Sequence, residues 1–448
     1  MSNSVTVRKA ALDCLEKLQH PNCRISPLVR QVSQQLQPVD LKLFHELVYG
    51  TIRWQGQLDW VLSNFVPQRF RLQKRVQNIL RLGAYQLLHL DRIPVHAAIY
   101  ETVELAKPKV KTARFINAVL RNVSRQGDEL SLPDPVEDPL NGISISLSYP
   151  KWLIKRWISD HDLGWTTGFC RASNLVAPLT ARVNTLKISR QDLIEQLAAE
   201  GVNAQPTTIS PEGIQLTGVN DLGRLYTHEE GFFQVQDEAA QMVSHLALPE
   251  QTCQPQSVVD LCAAPGGKTT HLAQLMGNKG RVIAMDVSKE KIKLIEQNCQ
   301  RLGVQNVETV VGSALDSEID FLSFADVVLV DVPCSGFGTL RRHPDIRWKK
   351  KPNQISELAN LQLQILCNVA CQIQRGGIIV YSTCTIEIEE NQKVITQFQH
   401  QYPNFIVDPA GAILPSAEQN TFTVEGYWQT FPHLHHMDGS FAARLIKT

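Results

Sequence analysis

Val258-Val259-Asp260-Leu261-Cys262-Ala263-Ala264-Pro265-Gly266-Gly267-Lys268-Thr269-Thr270-His271-Leu272-Ala273 is the stretch that decides the fold. It reads as a short apolar strand, a tight loop of small residues and glycines, and the opening turn of a helix. The same alternation continues downstream. Strands are expected at 257–261, 281–286, 307–311, 325–331 and 377–383, with helices at 289–301 and 354–374 between them. Apolar strands separated by helices imply a parallel sheet covered on both faces. Ligands of such sheets bind beyond the carboxyl ends of the strands.

The loop Cys262, Ala263, Ala264, Pro265, Gly266, Gly267, Lys268 allows close backbone approach to a ligand, and the helix amino end adds positive potential. It matches neither GxxxxGK[ST] nor GxGxxG. Asp286 ends the second strand, 26 residues after Asp260, where a carboxylate can accept both hydroxyls of a ribose. An ordinary helix cap before Ser288 is the other reading of Asp286. A nucleoside-containing cofactor is expected. S-adenosyl-L-methionine and a dinucleotide both contain one, and the missing GxGxxG favours the former.

Two cysteines end later strands, in Asp331-Val332-Pro333-Cys334 and in Tyr381-Ser382-Thr383-Cys384. A thiolate beside a cofactor loop can add to a ring carbon that oxygen nucleophiles reach poorly, which points to covalent methylation of a pyrimidine. Carbon 5 of cytosine is a poor nucleophile until a thiolate has added to carbon 6. Hydrogen bonding or protonation at ring nitrogen 3 drives that addition, and Asp331 is the carboxylate near Cys334. A release step must follow. Spacing alone does not order the two cysteines.

The chain outside this region differs in kind. From Val5 to about Arg125 apolar residues recur every three or four positions, as in Ala11, Leu12, Leu15, Leu18 and in Leu80, Ala84, Leu87, Leu88. Residues 1–130 are therefore expected to form an all-α bundle. Residues 127–145, rich in Asp, Glu, Pro and Gly, read as a linker. Residues 145–236 are expected to form a small α/β, RRM-like module, with strands near 180–183, 213–216 and 231–235 and a helix near 191–200. Residues 237–448 are expected to form the catalytic α/β domain.

The formal net charge is +0, yet residues 1–126 carry 19 Lys+Arg against 8 Asp+Glu, whereas the rest carries 25 against 36. A basic front suggests a polyanion grip, with Arg8, Lys9, Arg71, Lys74, Arg75, Arg114 and Arg121 as candidate phosphate contacts. Arg341, Arg342, His343, Lys349, Lys350 and Lys351, interleaved with Trp348, form a second candidate patch with a stacking plane. The 10 cysteines show neither CxxC nor metal-like spacing, so reduced thiols and no metal are expected. Cys367 and Cys371, four apart on a helix, read as apolar filling. Without a leader-like or membrane-spanning stretch, the expectation is a cytoplasmic monomer with no membrane partner.

The front segment Ile93-Pro94-Val95-His96-Ala97-Ala98 through Lys107, followed by Arg114-Phe115-Ile116-Asn117-Ala118-Val119-Leu120-Arg121, resembles the NusB-like RNA-binding domain. Asp260 to Lys268, Asp286-Val287-Ser288, Asp331 to Gly336, Arg341 to Asp345 and Ser382-Thr383-Cys384 together resemble the RNA 5-methylcytosine methyltransferases of the NOL1/NOP2/Sun type. The two resemblances span nearly the whole chain. They imply a Rossmann-like class I S-adenosyl-L-methionine-dependent methyltransferase domain. The implied substrate is RNA, most simply 16S rRNA, with transfer RNA as a rival. A binding factor with an inert methyltransferase body is the rival from another class.

In this family the attacking thiol lies in the Thr-Cys motif, which implies Cys384 as nucleophile and Cys334 as the residue assisting product release. DNA cytosine methyltransferases, whose nucleophile follows a proline, would select Cys334. Relatives often carry an acidic residue after the third strand. Here Val311-Gly312-Ser313-Ala314 offers Ser313 to the adenine, with Asp316 close behind. Asp438-Gly439-Ser440-Phe441 also departs from the family, where two aromatics often follow the glycine.

Overall fold

The computed structural model describes residues 6–67, 72–107, 109–127, 129–219, 221–248, 256–414 and 421–448. The chain divides into two compact units, Met1–Leu175 with Leu340–Lys350, and Val176–Thr339 with Lys351–Thr448.

The first unit is helical: α1 (Val7–Lys17), α2 (Ile25–Ser33), α3 (Pro38–Arg53), α4 (Gln55–Ser63), α5 (Lys74–His89), α6 (Val95–Glu104), α7 (Val110–Gln126), α8 (Pro139–Ser146), α9 (Lys151–Asp160) and α10 (Leu163–Ser173). The periodic residues face inward as expected. Ala11, Leu12, Leu15, Leu18, Leu80 and Ala84 are buried in one core with Phe44, Leu47 and Leu120. The expected linker instead contains α8, because Asp138 caps it by accepting from Asn141 N at 3.1 Å and Pro139 fits its first turn.

Two of the expected phosphate contacts are paired within the protein. Arg8 Nε donates to Gln86 Oε1 at 2.7 Å, and Arg75 pairs with Glu16 at 2.5 Å. Arg71 lies outside the described residues. Lys9 and Lys74 stay exposed, as do Arg30, Lys42 and Arg92, and a further exposed group lies around α7: Lys107, Lys109, Lys111, Arg114, Arg121 and Arg125.

In the second unit a four-stranded antiparallel sheet comes first: β1 (Leu179–Val183), β2 (Asn203–Pro206), β3 (Gly213–Thr217) and β4 (Phe233–Val235), in the order β2-β3-β1-β4. α11 (Arg190–Ala199) joins β1 to β2, and α12 (Tyr226–Glu229) precedes β4. This βαββαβ path is the ferredoxin-like arrangement that RRM-like modules share. β2 escaped the sequence reading because Asn203-Ala204-Gln205-Pro206 is polar and ends in proline, which sheets tolerate at an edge.

The large sheet has the order β10-β12-β9-β8-β5-β6-β7, with β11 paired to β12. β5 (Ser257–Leu261), β6 (Arg281–Asp286), β7 (Val307–Val311), β8 (Val327–Asp331) and β9 (Ile378–Thr383) run parallel. β10 (Phe405–Val407), β11 (Trp428–Thr430) and β12 (Ser440–Lys447) add an antiparallel margin that had not been expected as such. Between strands run α13 (Glu238–Ala247, before β5), α14 (Gly267–Leu275), α15 (Lys289–Leu302) and, after the residues that fold with the first unit, α17 (Pro352–Gln372) and α18 (Gln392–Gln401). Val259, Leu261, Ile283, Val328 and Val330 pack with α17 and α18, while Val258, Val282, Val327 and Leu329 pack with α13 and α14. Alternate strand residues thus enter separate cores on the two faces, the reason the strands read as unbroken apolar runs.

Between Thr339 and Lys351 the chain leaves this sheet and folds with the helical unit, forming α16 (Ile346–Lys349). Arg347 is fully buried; it donates to Asn174 Oδ1 at 2.8 Å and to Ser148 O at 3.3 Å, with its guanidinium 3.8 Å from the Tyr149 ring. Trp348 Nε1 donates to Ile52 O at 2.9 Å, and Lys349 to Cys23 O. His343 Nδ1 meets Ser26 Oγ at 3.2 Å, and Arg341 is buried. The expectation of a phosphate-binding patch with Trp348 as a stacking plane is therefore corrected: most of its polar groups are consumed by the helical unit.

Arg347→Ala would strand buried carbonyls and leave a cavity. A loss of about 3 kcal/mol or more is expected in denaturant unfolding of the full chain. A change below about 0.5 kcal/mol would contradict this account.

Candidate active site

The site is assembled at the carboxyl ends of β5, β6, β7, β8 and β9. β5 runs into Cys262, Gly266 takes a left-handed conformation with φ 93°, and α14 starts at Gly267. A Cβ on Gly266 would also crowd Ile295 at 3.1 Å, so geometry and space both select glycine. Asp286 is 5% exposed at the end of β6, and its Oδ2 accepts from Ala264 N at 3.3 Å. Its Oδ1 accepts from Ser288 N at 3.1 Å, while the helix itself is capped by Ser288, whose Oγ accepts from Lys291 N at 3.3 Å, so Asp286 is not the cap. Beside β7, Ser313 N donates to Asp316 Oδ2 at 3.0 Å, and Gly312 N donates to Asp286 O at 3.2 Å. Asp316 is thus folded back onto the loop that presents Ser313.

Lys268 reaches from the loop to β8, with its Nζ 2.7 Å from Asp331 Oδ2. Ser382 on β9 donates to Asp331 Oδ1 at 2.8 Å. Burial pulls the Lys268 ammonium down, but the charge and hydrogen bond of Asp331 hold it above its ordinary value. Behind the loop, burial pushes Asp260 up to about 7 against the hydrogen bond from Thr269 Oγ1 at 2.6 Å. Both the Lys268 side-chain role and Ser382 escaped sequence reasoning, although each residue lies within a motif already singled out.

Cys334 and Cys384 come together, with their sulfurs 3.3 Å apart. Their environments differ. The contact with Cys334 lowers the Cys384 thiol, with Lys268 adding to it against burial and Asp331. The same contact, with burial, raises Cys334. Cys384 is exposed and Cys334 half-buried. The third cysteine here, Cys262, is pushed by burial up to about 12 and is chemically quiet.

The loops carrying the thiols are clamped. Ser335 N and Gln362 Nε2 each donate to Glu390 Oε2 at 2.8 Å, and Gln362 Nε2 also donates to Pro333 O at 3.0 Å. Gly338 N donates to Cys384 O at 3.0 Å, and Gly439 N to Gly338 O at 2.9 Å. A Cβ on Gly338 would lie 2.0 Å from Gly439 O. The departure at residues 438–441 therefore leaves the working parts intact: Gly439 braces the Cys384 loop, and Phe441 is buried against Tyr381 and Tyr427.

Residues 246–446 match the model of the 16S rRNA methyltransferase RsmB/F family, residues 5–125 match the NusB family, and residues 149–222 match the RsmF/B-like ferredoxin-like domain. A probable ribosomal RNA small subunit methyltransferase B of Bacillus subtilis is 35% identical over 450 residues, 99% of each chain. The chain belongs to the RsmB/F family of rRNA methyltransferases. The ribosomal RNA small subunit methyltransferase B of Yersinia pseudotuberculosis is 34% identical over 453 residues, all of both chains. The crystal structure of PH0851 superposes with a TM-score of 0.82 at 27% identity, covering 98% of each chain. The protein is an RNA methyltransferase with S-adenosyl-L-methionine as its cofactor. The donor set fits that group: a glycine-bearing loop that admits close approach, a buried carboxylate for the ribose, and no full dinucleotide motif. Among the described residues no helix is long and apolar enough to cross a membrane.

Proposed function

We propose that the chain methylates carbon 5 of one cytosine in 16S rRNA, through a covalent bond between Cys384 Sγ and carbon 6 of the base. The observation that carries this reading is the pair of thiols 3.3 Å apart above the cofactor loop, Cys384 exposed and Cys334 half-buried, beside the 2.7 Å Lys268–Asp331 pair. The Cys262–Lys268 loop and Asp286 hold the cofactor, with Ser313 on the adenine side.

The lowered Cys384 attacks carbon 6, and the electrons of the ring double bond move toward nitrogen 3 and the carbonyl oxygen. Ring nitrogen 3 takes up a proton delivered by Asp331 as negative charge builds there, and Lys268, paired with Asp331 at 2.7 Å, can donate to the carbonyl oxygen. Carbon 5, now enamine-like, takes the methyl group that the sulfonium cofactor supplies. A base then takes the proton on carbon 5, that electron pair restores the ring double bond, the carbon–sulfur pair departs with Cys384 as its thiolate, and nitrogen 3 returns its proton to Asp331. Once Cys384 has become a thioether it no longer holds the Cys334 proton in the resting arrangement. Cys334 can then give its proton to solvent and serve as the base at carbon 5.

A stacked base cannot offer carbon 6 to a thiol, so the target is a loop base or one flipped out. The exposed cations around α7 suit the RNA backbone.

Bisulfite mapping of cellular RNA with and without the gene tests the reading. One unconverted cytosine in 16S rRNA should disappear on deletion and return with the purified enzyme and labelled methyl donor. Loss of a transfer RNA site instead, or methyl transfer to a position other than carbon 5, would defeat it.

A further inference from the structure

Arg182 lies on β1 of the small sheet, is 1% exposed, and points away from that sheet's own core into the start of α14. Its Nη1 donates to Gly267 O at 2.8 Å, its Nη2 to Thr270 Oγ1 at 3.1 Å, and its Nε to Gln274 Oε1 at 3.1 Å. Nη1 also bonds Gln236 Oε1. The contact is reciprocal, since Gln274 Nε2 donates to Val183 O at 3.1 Å and to Thr185 Oγ1 at 3.0 Å. Thr270 Oγ1 in turn donates to Gly266 O at 2.8 Å.

A buried cation at a helix amino end works against the helix dipole, so mere folding stability is a weak reason for it. Its fork instead fixes the carbonyl and hydroxyl that set where the loop ends and the helix begins. Glu212, just before β3, accepts from His245 Nε2 on α13 at 2.9 Å and lies 3.9 Å from His271 Nε2 on α14. Burial, with the Arg182 charge, takes His271 down to about 3, so a neutral ring faces that carboxylate.

We propose that Arg182 is a positioning residue for the cofactor, through which the ferredoxin-like module sets the shape of the Gly266–Thr270 turn and hence the affinity for S-adenosyl-L-methionine. The inference rests on the reading of the 262–268 loop and Asp286 as the cofactor site.

The test uses the full-length chain with Arg182→Met, Arg182→Lys, Thr270→Val and, as a control on the site itself, Asp286→Asn. Calorimetric binding of S-adenosylhomocysteine, KM and kcat for the methyl donor, and RNA affinity are measured for each. Arg182→Met should weaken cofactor binding and raise KM roughly tenfold or more, with kcat at saturation and RNA affinity within about threefold of the parent. Arg182→Lys, which retains the charge and one donation, should fall between. Thr270→Val should lose less, and its effect should not add to that of Arg182→Met. If Arg182→Met does not fold, Arg182→Lys and Thr270→Val decide.

Unchanged cofactor affinity in the Arg182 variants beside a weakened Asp286→Asn would overturn the inference alone. Parallel losses in cofactor affinity, kcat and RNA affinity would overturn it too, as a structural role only. Normal cofactor binding by Asp286→Asn would remove the site reading and the inference with it.

Discussion

Cys384→Ala is expected to lower methyl transfer by about 10⁴-fold or more, because it removes the exposed thiol that bonds carbon 6 and leaves only the half-buried Cys334 beside it. Cys334→Ala should behave differently. Its attacking thiol remains, so methyl transfer proceeds and the protein accumulates as a covalent adduct with methylated RNA, visible as a denaturation-resistant band. The physical ground is the 3.3 Å contact and its polarity, Cys384 lowered by it and Cys334 raised. If Cys334→Ala lost all adduct while Cys384→Ala kept turning over, the roles would be reversed. The double substitution, with neither adduct nor transfer, would show that both phenotypes come from this pair.

The second large effect concerns Lys268 and Asp331, and its signature is a pair of opposite pH shifts. Lys268 lowers the Cys384 thiol and Asp331 raises it. Adduct formation needs the thiolate, so its rate rises with pH through the Cys384 pKa and then levels. Lys268→Met removes a charge that favours the thiolate, so the rising limb should move to higher pH. Asp331→Asn removes a charge that opposes it, so the limb should move to lower pH. Both should reduce the plateau by roughly 10²- to 10³-fold, since each removes a partner of the ring edge. Single-turnover adduct formation across pH 6–10 reads limb and plateau separately. Shifts of the same sign, or lower plateaus with no shift, would refute a site in which these two groups bracket the thiol.

The parallel core was open to sequence reasoning because its signals are local. Ser257–Leu261, Arg281–Asp286 and Val307–Val311 are short apolar runs flanked by helices, and the structure has these strands at the expected bounds. Strand ends then located Cys262, Asp286, Asp331, Cys334 and Cys384 without knowledge of their neighbours, since parallel sheets gather such ends on one edge. The antiparallel margin β10 to β12 was harder. Three residues at Phe405–Val407 and three at Trp428–Thr430 are too short to carry a period.

The basic run after Cys334 misled for a further reason. Composition gives the charge of Arg341, Arg347 and Lys349, whereas solvation depends on what the chain packs against. Here the partners are Ser148, Asn174, Ile52 and Cys23, more than a hundred residues away. Arg182 shows the same effect at the other end of the site, its partners lying some 90 residues ahead on α14.

The sequence by itself determined the parallel core, the cofactor loop and the thiols at the strand ends, because hydrophobic period, glycine geometry and strand-to-helix order are written in neighbouring residues. Only the tertiary structure decided which thiol is lowered, that Lys268 turns to Asp331, and that Arg182 holds the start of α14. Those outcomes depend on charges and donors brought within about 3 Å from distant segments, and at that range distance and burial, not residue type, set the energy.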